Sequence, residues 1–377
     1  MVIRGHSIQL VTNPAQEDYL AKAAGVARFA YNWALDAWRD IYAVHTVDPT
    51  VPNTSEMELR RGLNALKKEQ YPWMLEVTKC APQIAIKNLG KAFINFFEGR
   101  GAYPRYRVKG RDDRFTISND HFKVEGKKIR LPHIGWVSMR EELRFQGKIL
   151  SATVSKVADR WFVSIAVESG PIHSKPAKNH GKVGVDLGVN TLATLWRDDG
   201  THEKIPGPRP MKRFLAQLRK LSKTVARRVL GSNGREKARL KLARLYARMA
   251  NIRQDTTHKL TTMLSSNYST VVIEDLNVRG MLERGQPSML KRQKRGLARS
   301  IADMGFFEFR RQLEYKMQAR GGQVIVADRY FPSSKKCSHC DLVFKQLKQG
   351  QQKWTCMGCK TVHDRDVNAS HNLWRVG

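Results

Sequence analysis

Two Cys-x-x-Cys pairs place the tightest constraint on what this chain can fold into. Cys337 and Cys340 form the first, Cys356 and Cys359 the second, with fifteen residues between them. Each pair can bend round one ion in a tight knuckle. Two knuckles supply four thiolates, a closed tetrahedral shell with no open position. The spacing predicts a structural zinc ion held by Cys337, Cys340, Cys356 and Cys359. Redox or disulfide chemistry is the competing use, but clustering in a chain read as cytosolic favours metal. The fifth cysteine, Cys80, stands alone. Knuckles often carry Gly directly after the second Cys, whereas here Asp341 and Lys360 stand there. His339, inside the first pair, is expected to be exposed because four thiolates already fill the shell. Metal binding can supply on the order of 10 kcal/mol of folding free energy to so small an insert.

The charge balance constrains the partner. Lys and Arg total 67 and Asp and Glu total 34, a formal charge of +33 on 377 residues. A surplus of that size repels itself unless a polyanion neutralises it, and nucleic acid is the obvious polyanion. A merely soluble basic protein is the plainer alternative. A membrane role would want a spanning run of roughly 20 apolar residues, a basic amphipathic anchor or a lipidation signal, and none is seen. The opening MVIRGHSIQLVTNP lacks the apolar core and cleavage site of a signal peptide. The expectation is a cytosolic protein of two or three domains.

Periodicity divides the chain. Residues 1–12 alternate weakly, as a strand does. Asn13-Pro14 is a helix start, followed by Leu20, Ala24, Ala27, Tyr31, Leu35 and Trp38 at helical spacing. The stretch 45–54, with Pro49 and Pro52, is expected as a loop, and helices fit 55–70 and 82–98. From about 103, short alternating β-branched runs broken by turn residues predict a β unit, read as a barrel, which residues 1–10 would join. At its entrance Tyr103, Arg105, Tyr106, Arg107, Lys109 and Arg111 interleave aromatics with bases, a composition that suits nucleic-acid contact. A solvated charged loop is the alternative. Residues 169–182 read as a linker. Two or three strands follow, with a hairpin turn at Asp199-Gly200.

Helical patterns then fit 208–230 and 235–266, broken by Gly-Ser-Asn-Gly. Between 208 and 260 there are 16 Lys or Arg residues against Glu236 and Asp255 alone. Leu215, Leu218, Leu221 and Val225 stripe one helix, and Leu245, Met249 and Ile252 the other. A hairpin with one apolar seam and a one-signed outer face suits phosphate, because solvated faces usually mix signs. Lys212, Arg213, Arg219, Lys220, Arg227 and Arg228 are its candidate contacts. The run 279–300 is basic and interrupted by Gly and Pro, so it is expected to be mobile without a partner. Strands are expected at 269–274 and 323–331, with a helix near 300–319 between them.

Acids at the ends of apolar strands are costly unless paired or metal-bound. Asp186 follows Val183 and Val185, and Glu274 follows Val271, Val272 and Ile273, with Asp275 adjacent. Neighbouring strand residues point to opposite faces, so only one of Glu274 and Asp275 can look into a given site. A third candidate lies in HDRDVNASHN, where Asp364 and Asp366 open a short helical pattern and one of the two would serve. Three carboxylates from two strands and a helix start can hold two Mg²⁺ ions about 4 Å apart, the arrangement for phosphodiester hydrolysis.

Together GVDLG (184–188), VVIEDLNVRGM (271–281), FPSSKKCSHC with CMGC (331–359) and HDRDVNAS (363–370) resemble the TnpB proteins of insertion sequences. RFAYNWAL, YPRYRVKG and LPHIGWV extend the resemblance through the N-terminal half. Members are RNA-guided DNA endonucleases related to the compact type V CRISPR effectors. The resemblance implies an α/β and β-barrel architecture: a RuvC-like nuclease of RNase H fold at 183–332 and 361–377, with a zinc-ribbon insert at 333–360. A β-barrel wedge domain at 1–12 and 101–170 would precede it, carrying a helical recognition insert at 13–100, with a linker at 171–182. It implies Asp186, Glu274 and Asp366 as the catalytic Mg²⁺ ligands, Asp366 because the family's third acid stands in a D-x-N context that Asn368 completes. Asp364 is then left as a helix cap. The implied partners are a guide RNA from the transposon end and double-stranded target DNA beside a short target-adjacent motif, gripped by a monomer. Non-cleaving RNA-guided regulators of this family typically lose one or more of the acids, and all three are present here. A strand-transfer transposase is the remaining alternative.

Overall fold

Asn13 starts the first helix as its neighbours predict. Its side chain accepts from the Gln16 amide, the Gln16 side chain accepts from the Asn13 amide, and Pro14 follows. The computed structural model describes residues 2–170, 181–284, 291–348 and 350–377. Within them strand β1 (Val2–Val11) leads into helix α1 (Pro14–Val47), which runs slightly past the expected end. Helix α2 (Glu56–Leu66) opens on a second capping box, Ser55 with Glu58, and α3 (Cys80–Phe97) buries Ile86, Leu89 and Phe93. Strands β2 (Arg114–Ser118), β3 (Lys123–Glu125), β4 (Lys128–Leu131), β5 (Gly135–Met139), β6 (Lys148–Val157) and β7 (Arg160–Ser169) follow.

With β1 these strands make one antiparallel ladder, ordered β2-β6-β7-β1-β5-β4-β3. β1 is its central strand, pairing with β7 through residues 2–9 and with β5 through residues 10 and 11. Among the described residues no hydrogen-bonded pairing joins the end strands β2 and β3. Ile8 and Leu10 of the sheet, Leu20 and Ala27 of α1, Leu89 of α3, and Ile117, Val163 and Ile165 belong to one continuous apolar core. The helices between the first two strands therefore share the sheet's core rather than having their own. These elements constitute the first of two units, residues 1–171.

The second unit, 172–377, is built on a five-stranded sheet. Residues 171–180 of the expected linker lie outside the described residues. Strands β8 (Lys182–Leu187), β9 (Ala193–Arg197) and β10 (His202–Ile205) form an antiparallel meander. Helices α4 (Pro210–Arg213), α5 (Leu215–Arg227) and α6 (Asn233–Asn267) come next. The seam of the α5–α6 hairpin is Leu218 and Leu221 against Leu245, Met249 and Ile252, extended by Met211 and Phe214. Strand β11 (Thr270–Glu274) pairs parallel with β8. Of the basic run at 279–300, residues 285–290 lie outside the described residues, and the rest enters α7 (Val278–Arg284) and α8 (Lys291–Met304). Gly305, at φ 68°, then divides α8 from α9 (Phe306–Ala319). Strand β12 (Gln323–Ala327) adds parallel to β11, giving the order β10-β9-β8-β11-β12. The small hairpin β13 (Lys353–Thr355) and β14 (Val362–Asp364) leads into α10 (Arg365–Val376). Among the described residues no helix is long and apolar enough to cross a membrane.

Helix α10 lies against β8, and one residue makes that approach possible. A methyl group on buried Gly184 would overlap the backbone oxygen of Ser370 and the backbone nitrogen of Trp374. Such a contact cannot be relieved by turning a side chain, so the glycine of the GVDLG run is a packing requirement. We expect Gly184→Ala to cost on the order of 2–3 kcal/mol by overpacking. It would lower the thermal midpoint of the second unit in scanning calorimetry, while Gly188→Ala, on the following loop, would cost less.

Candidate active site

The sheet register brings two of the predicted acids side by side. Val185 of β8 is paired with Ile273 of β11 in parallel register, so Asp186 and Glu274 are the next residues of two neighbouring strands and share a face. The third acid follows from the α10 packing. Gly184 and Asp186 lie two residues apart on one face of β8, while Ser370 and Asp366 lie one turn apart on one face of α10. With Ser370 seated on Gly184, Asp366 comes over Asp186. Glu274 and Asp366 are accordingly the first charges that Asp186 meets. All three residues are half-buried.

Each neighbouring acid has a separate role. The Asp275 carboxylate turns away from Glu274 and accepts from Arg310 at 2.8 Å and Arg329 at 2.5 Å. Asp364 caps α10, its Oδ1 accepting from the amides of Asp366 and Val367 at 3.1 Å each. Lys204 of β10 donates to the other Asp364 oxygen at 2.7 Å. Asp364 is thus engaged as the cap of α10, the place left to it by the family resemblance.

The site is electrostatically overloaded with negative charge. Burial, and then the charges of Glu274 and Asp366, push the Asp186 carboxyl well above the ordinary carboxylate range. Burial also raises Glu274 and Asp366. Ser333, which donates to Glu274, the Arg365 guanidinium and Lys204 offset only part of this. Carboxylate oxygens from three neighbouring elements, opposed only in part by Arg365 and Lys204, suit a hard divalent cation rather than a soft one.

The four cysteines close as predicted. Their sulfur atoms all lie within 4.8 Å of one another, with Cys337 to Cys359 at 3.6 Å and Cys340 to Cys356 at 3.5 Å. Four sulfurs about 2.3 Å from a common zinc would have edges close to these. Asp341 and Lys360 take up φ of 63° and 61°, the left-handed conformation for which the sequence offers no glycine. Asp341 is held there by Arg375, at 2.6 and 3.1 Å, and by Lys336 at 3.3 Å. Burial lowers the His363 pKa, and its Nε2 lies within hydrogen-bond reach of Cys337 Sγ, at 3.1 Å. His339 is no part of the four-sulfur cluster.

Two buried asparagines join the ribbon to α10: Asn368, named in the sequence only for its place after Asp366, and Asn372, which sequence reasoning missed. Asn368 Nδ2 donates to the carbonyl of Lys336 at 2.8 Å, and its Oδ1 accepts from the Ser338 amide at 2.9 Å. Asn372, one turn on, donates to the carbonyls of Ser333 at 2.8 Å and Lys336 at 2.6 Å. Their i, i+4 spacing on a short amphipathic helix was the available signal.

The predicted nucleic-acid contacts divide. Lys212, Arg213, Arg219, Lys220, Arg227 and Arg228 are all exposed on α4, α5 and the turn that follows. In the first unit Arg105, Tyr106, Arg107, Arg111 and Arg114 line a groove of about 690 Å³. Arg107 is stacked on Tyr31, 3.7 Å from the ring centre, and the exposed Tyr103 packs edge-on against Phe93 and Phe96. Lys109 is exposed.

Two outcomes test this geometry. A carboxyl whose folded pKa lies above its unfolded value contributes stability below the unfolded pKa and loses it as pH rises through the folded one. In divalent-free buffer Asp186→Asn should therefore raise the midpoint of the second unit by several degrees near pH 8. That gain should shrink as the pH falls toward about 4; a pH-independent gain would contradict the electrostatic account. Lys360→Gly should stabilise the zinc-loaded ribbon by about 1 kcal/mol, because it removes a left-handed non-glycine residue. Asp341→Gly should gain less, since it also removes the Arg375 pair.

Comparison with known proteins places this arrangement. Residues 164–285 match the OrfB_IS605 family, described as "Probable transposase", and residues 306–373 match the Cas12f1-like TNB domain. Residues 1–45 match a helix-turn-helix domain of the same OrfB_IS605 group, although here they form β1 and the continuous α1. The chain is 33% identical to an Escherichia coli K12 protein named "Putative RNA-guided DNA endonuclease InsQ", over all of this chain and 92% of that one. It is 35% identical to a Streptomyces pristinaespiralis protein named "Putative RNA-guided DNA endonuclease", over all of this chain and 90% of that one. Its fold is similar to that of Cas12f1 in a complex with sgRNA and target DNA, with a TM-score of 0.57 at 15% identity over 95% of this chain and 82% of that one. Full-length identity above 30% joins the four-cysteine ribbon to the strand-borne acids: the chain belongs to the TnpB family of the OrfB_IS605 group.

Proposed function

We propose that this chain is an RNA-guided DNA endonuclease that hydrolyses phosphodiesters in double-stranded DNA beside a short target-adjacent motif. The observation that carries the reading is that Asp186 and Glu274 directly follow the paired residues Val185 and Ile273 and that Glu274 and Asp366 are the charges that act most on Asp186. The names of the E. coli and Streptomyces relatives support it. Asp186, Glu274 and Asp366 would hold two Mg²⁺ ions, which when bound would supply a polarised water and charge stabilisation at the scissile phosphate. The chain's own part is to fix those carboxylates. The sheet register aligns Asp186 with Glu274, Gly184 admits the helix that brings Asp366, and Asp364 caps that helix while Lys204 steadies the cap. Arg365 faces the same acids and offsets part of their repulsion before substrate arrives.

The exposed cations of α4 and α5 would hold phosphate backbone, as would the groove between Arg105 and Arg114. A guide RNA transcribed from the transposon end and the target DNA are the proposed partners, bound by a monomer in the cytosol or nucleoid. A non-cleaving RNA-guided regulator is disfavoured because all three acids are present and brought together. Strand transfer, which the "Probable transposase" description favours, would appear as joined rather than hydrolysed products.

Purified with its co-expressed RNA, the protein should cut matched duplex DNA in Mg²⁺. Asp186→Ala should lower cutting by more than about a hundredfold, exceeding the loss typical of residues outside the metal's direct shell. The variant should still shift the duplex in a gel; cutting at the wild-type rate would remove the acid site from the mechanism. Replacing Arg219 and Lys220 with Gln should flatten the log–log salt dependence of binding by about one unit for each phosphate left without its cation. An unchanged slope would exclude those two from the interface.

A further inference from the structure

The strands and α10 account for where the acids lie, but not for what orients the Glu274 carboxylate. Its partner among the described residues is Ser333, whose Oγ donates to Glu274 Oε1. Ser333 belongs to neither β11 nor α10. It sits between β12 and the first zinc knuckle, four residues before Cys337, and is only 3% exposed.

The other side of Ser333 is equally tied. Its carbonyl accepts from Asn372 at 2.8 Å and from Asn368 at 3.3 Å. Both asparagines also donate to the carbonyl of Lys336, and Asn368 accepts from the Ser338 amide inside the first Cys-x-x-Cys loop. Asn368 stands two residues after Asp366 on the same helix. One buried network thus runs from the zinc knuckle to Ser333, then outward to Glu274 through the hydroxyl and to the Asp366 helix through the carbonyl. Nothing in this network requires a metal at the acids to be formed.

We propose that Ser333 is a positioning residue for the acid site: it holds the Glu274 carboxylate in register with Asp366 and makes that register conditional on a folded zinc ribbon. The inference rests on the nuclease reading for its consequence, though not for its geometry. Loss of the hydroxyl would free the Glu274 side chain to turn, while loss of the knuckle would free the Ser333 backbone that two asparagines grip. Because a buried donor to a charged oxygen is worth more than a neutral hydrogen bond, the effect should exceed that of an ordinary serine truncation. It should fall in the range found for partners of metal ligands, about ten- to a hundredfold in metal affinity or turnover.

The test uses the full chain with its co-purified RNA. Ser333→Ala is expected to keep one zinc per chain, by metal analysis, and to bind target duplex normally. It should need about tenfold or more Mg²⁺ for half-maximal cutting, and its turnover should drop with little change in KM for DNA. Without any cutting, the Mg²⁺-induced rise in thermal midpoint should shift to the same higher Mg²⁺ concentration. Ser333→Thr, which keeps the hydroxyl, should restore both readouts. Asn368→Ala should act in the same direction, and the Ser333→Ala, Asn368→Ala pair should be far less than additive, as members of one network are. Wild-type Mg²⁺ dependence in Ser333→Ala, failure of Thr to rescue, or loss of zinc from Ser333→Ala would each overturn the proposal, the last because Ser333 would then act through folding alone. If the wild-type protein shows the Mg²⁺-induced thermal shift but does not cut, the nuclease reading fails while the positioning role survives.

Discussion

The seating of α10 on β8 at Gly184 is the contact on which the second unit's chemistry depends. A strand surface is normally held about 10 Å from a helix axis by its side chains, and a glycine lets the backbones meet. That approach sets the height of the helix and the bare strand sets its lateral position, while the alternation of β8 and the turn of α10 carry the consequence to Asp186 and Asp366. The acids are thus brought together by shape, against their own repulsion. Burial raises all three carboxyls, and at Asp186 the charges of Glu274 and Asp366 add to it, so the folding energy that assembles them comes from elsewhere: the apolar faces of β8, β11 and α9, and the asparagine network at the ribbon. A site assembled at electrostatic cost is one prepared for cations.

The ribbon contributes in a different way from the sheet. Four thiolates would close the shell of the zinc they suit, so it would offer no coordination position for chemistry. Its value lies in rigidity: Phe344 and Trp354 stack at 5.5 Å, and Trp354 lies against His363 at 4.7 Å, forming a small core round the sulfurs. His363 is directly followed by Asp364, the cap of α10. The two non-glycine residues at positive φ show that this stretch accepts backbone strain where the knuckles turn, offset at Asp341 by Arg375 and at both by the metal that four thiolates would hold.

Much of this was legible in the residues. The Cys-x-x-Cys spacing identified the ribbon because local chain geometry nearly determines how a knuckle bends. The acids after Val185 and Ile273 were visible because a charge beside an apolar run is costly, whereas the helix start left Asp364 and Asp366 as alternatives and only the family resemblance favoured Asp366. Strand β1 was expected to join the β unit, but its central place in the ladder was not, because pairing order is a long-range property. Arg107 of the groove and Tyr103 beside Phe93 and Phe96 read in the sequence only as members of a basic, aromatic run; that each rests on an aromatic neighbour is a long-range packing outcome. Ser333 and Asn372 gave no local signal strong enough to stand out, since a serine in a turn and an asparagine in a helix are common.

By itself, then, the sequence determined the residue chemistry and local conformation: four thiols at zinc spacing, three acids in strand and cap contexts, basic helices with one seam, and the family those motifs resemble. Periodicity, caps and short spacings act over a few residues, and so they can be read in one dimension. Only the tertiary structure decided which acids meet, which arginines are held, and how the ribbon is wired to the site. Those outcomes depend on strand register and on a helix crossing a strand at one glycine, where residues as far apart in the chain as Gly184 and Ser370 touch. No local pattern encodes them.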